Sequence, residues 1–67
     1  MRLKTVLADG KEVVTESVGA EAYQSGVFSL GREIDCDRYA TPAEALRGHA
    51  ALVKKWADEY RKASTRS

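Results

Sequence analysis

The sequence has little of what usually staples a small protein together. It holds one cysteine, Cys36, and one histidine, His49, in 67 residues. A single thiol excludes a disulfide within the chain. One Cys and one His fall short of the roughly four ligands of a structural zinc site. A domain of this size buries only about 60% of the surface its unfolded chain exposes, and it commonly adds a disulfide, a metal or a second copy. Oligomerisation is the prop that remains, beside a well-packed monomer. No apolar run approaches the ~20 residues that cross a bilayer. No segment reads as a signal peptide, and a lone cysteine fits a reducing compartment. The expectation is one cytoplasmic domain without membrane contact.

Other absences narrow the function. The chain has no glycine-rich phosphate loop, helix-turn-helix signal, internal repeat or low-complexity tract. No pair of acids sits in an evident cleft. Nothing calls for a cofactor, a metal or a small-molecule substrate, and an enzyme is not expected.

What is present is patterned. The net charge is +1, yet residues 1–46 carry five basic and eight acidic side chains, and residues 47–67 carry six basic and two acidic. The basic end comprises Arg47, Lys54, Lys55, Arg61, Lys62 and Arg66. Such an end suits either an anionic partner or a helix dressing its negative terminus with cations.

Asp9-Gly10 lies between Leu3–Leu7 and Glu12–Thr15, the signature of a hairpin with a two-residue type I′ turn. That loop pairs Val6 with Val13 and Thr5 with Val14. Leu3, Thr5, Leu7, Val14 and Val18 then form the core face, and Val6 and Val13 the open one. Residues Gly19 to Gly26 read as a loose connection. A second hairpin runs from Tyr23 to Leu30, turns at Gly31-Arg32 and returns over Glu33 to Tyr39. Ile34 and Cys36 are expected inward, and Glu33, Asp35 and Asp37 outward. Whether Val27 or Phe28 joins the core depends on the loop length.

Thr41-Pro42-Ala43-Glu44 reads as a helix start, with Thr41 as N-cap, Pro42 at the first helical position and Glu44 completing a capping box. The apolar stripe Leu46, Ala50, Val53, Trp56, Ala57, Tyr60 follows. The helix is expected to reach about Lys62, with residues 1–63 as the domain and 64–67 as a frayed tail. The fold class is α+β: two β-hairpins forming a small antiparallel sheet with one C-terminal amphipathic helix on one face, in the order β-β-β-β-α. Such a sheet leaves its other face wet, and Val6, Val13 and Val27 are the candidate protein interface.

Four groupings invite chemistry. Cys36 with His49 suggests a nucleophile and its base, but Asp35 and Asp37 beside the thiol would raise its pKa, and a strand cysteine usually packs as a small hydrophobe. Asp35-x-Asp37 resembles a carboxylate pair for a metal, though a solvated strand face serves equally. His49 at the stripe's edge reads as a packed ring with local hydrogen bonds. Lys54, Lys55, Arg61 and Lys62 around Trp56 and Tyr60 are the candidate anion-binding set, with nucleic acid as the ligand. Pairing of Lys54 with Asp58 and Lys55 with Glu59 would neutralise that set.

The run Asp37-Arg38-Tyr39-Ala40-Thr41-Pro42-Ala43-Glu44-Ala45-Leu46-Arg47-Gly48-His49 through Val53 resembles a segment of small uncharacterised proteins of tailed bacteriophages and prophages. Capping does not account for Arg38-Tyr39 or Gly48-His49. Glycine inside a helix costs about 1 kcal/mol relative to alanine, so Gly48 implies a close approach to the helix backbone. The resemblance implies an origin and carries no established activity. The absent catalytic constellation, the small size and the open sheet face point instead to a non-enzymatic role by protein–protein interaction, as a virion component, adaptor or host-factor modulator. The alternative is a nucleic-acid-binding accessory protein using the basic helix.

Overall fold

The computed structural model describes residues 1–65. Four strands, β1 (Arg2–Val6), β2 (Glu12–Gly19), β3 (Ala22–Ser29) and β4 (Arg32–Tyr39), precede one helix, α1 (Pro42–Thr65). The strands pair antiparallel in the order β1-β2-β3-β4, and α1 packs on β2, β3 and β4. The fold is therefore α+β, as expected, with the helix on one face of an open sheet. The helix continues past Lys62 to Thr65. Arg66 and the end of the expected tail lie outside the described residues.

The first turn corrects the expected pairing. Gly10 N–H donates to Leu7 O at 2.9 Å, and Leu7 N–H donates to Lys11 O at 2.7 Å. Only Gly10 has a positive φ there, +92°, so Asp9 does not adopt the first left-handed position of a type I′ turn. The loop is three residues long, a type I turn closed by a left-handed glycine. Val6 consequently faces Glu12, and Thr5 faces Val13. One residue of slip sends every β2 side chain to the other face. Val13 and Thr15 turn toward the helix and are fully buried, while Val14 joins the open face.

The segment read as a loose connection is a tight hairpin, with Gly19 opposite Ala22. No residue in this turn has a positive φ. Pairing between Val13-Val14-Thr15 and Ser25-Gly26-Val27 sets it instead. The last turn falls at Leu30-Gly31 rather than Gly31-Arg32, with φ of +53° and +78°. These signs are those of a type I′ turn. Two residues later a bulge leaves Ile34 between the pairs Phe28–Glu33 and Val27–Asp35. Asp35, Asp37 and Tyr39 thereby turn toward the helix side, and Cys36 is exposed on the open face. This inverts the expected faces of β4, because the extra residue of a bulge reverses the alternation beyond it.

Helix α1 starts as expected. Glu44 N–H donates to Thr41 Oγ1 at 3.2 Å, and the Thr41 hydroxyl donates to the Glu44 carboxylate at 3.0 Å. The stripe on the sheet is rotated by about one position from the expected one: Ala45, His49 and Leu52 are buried, and Leu46 and Ala50 are exposed. The core is Val13, Val27 and Leu52, with Leu7, Val53 and Trp56 packed around it. At about 1.5–3 kcal/mol per buried aliphatic side chain, this is a thin core for 67 residues.

Candidate functional site

Between sheet and helix lies a polar cluster built from three strands. Thr5 Oγ1 is 2.8 Å from His49 Nε2, and Thr15 Oγ1 is 2.7 Å from His49 Nδ1. Thr15 also hydrogen-bonds Ser25. Thr15, Ser25 and His49 are all buried. The alternation of each strand and the Thr5–Val13 register align these groups below one helix position. A neutral imidazole supplies one donor and one acceptor, and hydroxyls serve both. Burial lowers the His49 pKa from its ordinary value, so the neutral ring is the resident form. Both ring nitrogens are occupied, which makes the cluster a tie between helix and sheet.

Next to it, Tyr39 lies against the helix backbone at Gly48. A β-carbon built on Gly48 would overlap the ring and hydroxyl of Tyr39. The Tyr39 hydroxyl is buried and has no hydrogen-bond partner. The close approach implied by Gly48 is thus made by a β4 side chain. Further along, Asp35 accepts from Lys55 Nζ at 2.9 Å and from Trp56 Nε1 at 3.1 Å. The Lys55 hydrogen bond, aided by that of Trp56, holds the Asp35 pKa below its usual value. The ammonium groups of Lys55 and Lys11 lie 5.2 and 5.8 Å from the Trp56 ring centroid.

These contacts decide most of the chemical readings. Cys36 is exposed on the open face and His49 is buried under the helix, so the sheet separates them and they form no nucleophile–base pair. Asp35 is committed to Lys55 and Trp56. Among the described residues no cluster of three His, Cys, Asp or Glu side chains is arranged to hold a metal ion. In the anion-binding set, Lys55 pairs with Asp35, Arg61 with Asp58 and Lys62 with Glu59. Among the described residues Lys54 pairs with no carboxylate, contrary to the expected Lys54–Asp58 bridge. Trp56 is half-buried and tied to Asp35, so it offers no free stacking platform.

The open face holds what the expected interface missed. Val13 and Val27 are 0% exposed and form the core, so neither belongs to a surface. Val6 is on the open face, 61% exposed. With it stand Val14 and Phe28, whose ring lies over the buried Gly26. A shallow cleft of about 290 Å³ there is lined by Arg2, Glu12, Val14, Glu16, Gln24, Gly26, Phe28 and Glu33. Lys4 pairs with Glu12 at 3.1 Å, and Arg2 with Glu16 at 3.9 Å. Leu30 at the edge is 99% exposed and left-handed. A leucine there costs about 1–2 kcal/mol and adds nothing to the core. No sequence signal short of the exact loop lengths could have exchanged Val13 for Val14.

No helix among the described residues is long and apolar enough to cross a membrane. Comparison with family models, curated proteins and solved structures finds no match.

Proposed function

We propose that this is a small non-enzymatic protein of the phage or prophage type that works by protein–protein contact through the uncovered sheet face, with a second copy of itself as its first partner. The observation that carries the reading is a four-stranded sheet with a helix on one side only, whose other side presents Val6, Val14 and Phe28, with the Phe28 ring lying over Gly26. Val14 and Gly26 are cross-strand partners. A two-fold axis running along the strands between β2 and β3 therefore sets each Val14 over the other copy's Gly26. The same operation brings Val6 toward the Ile34 bulge. The phage-type origin rests on the resemblance alone.

Sedimentation equilibrium over a wide concentration range tests the proposal. A concentration-dependent dimer is expected. Val14→Glu should weaken it more than about tenfold, as for a central interface residue. Monomer stability should change little, because Val14 lies outside the core. A strict monomer, or a dimer indifferent to Val14→Glu, would overturn self-association through this face.

A further inference from the structure

Helix α1 carries a second apolar stripe that the sheet covers only in part: Val53 packs at the edge of the core, while Leu46, Ala50 and Tyr60 stay exposed. Ala43, Leu46, Ala50, Val53, Ala57 and Tyr60 recur in steps of three and four, with alanine at every seventh residue. This 3.5-residue period is that of a helix–helix seam. Leu46 is 51% and Tyr60 41% exposed. Gly48 meets Tyr39 of β4 and Lys55 meets Asp35 of β4, which marks the flank turned toward β4. At 100° per residue, positions 46, 53 and 60 lie about 160° around the helix from them, on the flank turned toward β1.

That side of the sheet is thinly covered. The helix packs on β2, β3 and β4 and reaches β1 through the Thr5–His49 hydrogen bond. Four strands span about 14 Å between the outer two, and one helix is about 10 Å across. A second helix fits beside α1, over Leu3 and Leu7, at the 8–10 Å spacing of packed helices.

Charge identifies the occupant. Arg47, Lys54 and Arg61 form a row along the outer edge of the stripe, seven residues apart. Arg61 bonds Asp58, and Glu44 is engaged with the Thr41 cap. Arg47 and Lys54 meet no carboxylate among the described residues. We infer that the channel between α1 and β1 docks an acidic amphipathic helix of a partner protein, its apolar seam on Leu46, Ala50 and Val53 and its carboxylates on Arg47 and Lys54. A second copy fits poorly, because it brings another basic row to the same seam. A nucleic acid fits poorly, because the basic row borders an apolar stripe rather than a polar face.

The test uses the whole chain and two designed helical peptides with the same leucine seam, one flanked by glutamate and one by lysine, with a DNA duplex and single strand in parallel. The glutamate peptide is expected to bind, to weaken as salt rises, and to shift amide resonances of Leu3, Leu7 and residues 46–54. Arg47→Glu with Lys54→Glu, both exposed and outside the core, should weaken it about tenfold and leave urea stability within ~0.5 kcal/mol. Equal binding of the lysine peptide, shifts confined to the open sheet face, preference for DNA, or no binding would each overturn the inference.

Discussion

Gly48→Ala is expected to destabilise the protein by about 3 kcal/mol, the scale of a severe overpacking. At an ordinary helix position the same change stabilises by about 1 kcal/mol, so the sign itself is diagnostic. The cause is Tyr39, whose ring occupies the space of the missing β-carbon. The ring can retreat only by giving up its packing on the helix backbone at Gly48, at the end of β4 opposite Tyr23. Combining Gly48→Ala with Tyr39→Ala separates packing from propensity. In the Tyr39→Ala background the alanine at 48 should become neutral or favourable. Urea denaturation of the four proteins completes the cycle. Stabilisation by Gly48→Ala alone would refute the packing of β4 on the helix.

His49→Ala is the second large effect, again about 3 kcal/mol. The substitution opens a cavity and strips the buried Thr15 hydroxyl and the half-buried Thr5 hydroxyl of their shared partner. It should also remove a pH dependence. The folded protein holds His49 below its ordinary pKa of 6.5, so the unfolded chain takes up the proton first as pH falls. Stability from the neutral ring is complete above 6.5, declines as pH falls toward the folded pKa, and is level below it. The carboxylates act lower: Asp35 and Asp9 are both held below 3.8, and their contribution is lost only as pH falls through those depressed values. Urea midpoints should therefore drop between pH 7 and pH 5 in the wild type and stay flat over that interval in His49→Ala. An equal slope in both would place the titrating group elsewhere.

The two-layer plan was legible because its signals are local. Thr41-Pro42-Ala43-Glu44 marks a helix start through backbone geometry alone, and Asp9-Gly10 marks a reversal. Faces were less legible, because each depends on counting residues through a turn. One extra loop residue at Ala8-Asp9-Gly10 exchanged Val13 for Val14, and one bulged residue at Ile34 exchanged Cys36 for Asp35. The helix misled for another reason. Its larger residues Leu46 and Tyr60 extend the stripe outward, while the stripe on the sheet is built from Ala45, Gly48, His49 and Leu52 with Val53 and Trp56 at its edge. That choice follows from Tyr39 needing a glycine and from two strand hydroxyls, Thr5 and Thr15, meeting an imidazole, demands that exist only once the strands are paired.

The most direct test of the assigned faces is the reactivity of the Cys36 thiol toward a disulfide reagent, in native protein at neutral pH and low concentration. The structure places this thiol on the uncovered face, so it should react at a rate close to that of the urea-unfolded chain. A thiol that reacts only as the protein unfolds would put Cys36 beneath the helix, and would contradict the register, the open face and the interface proposed on it.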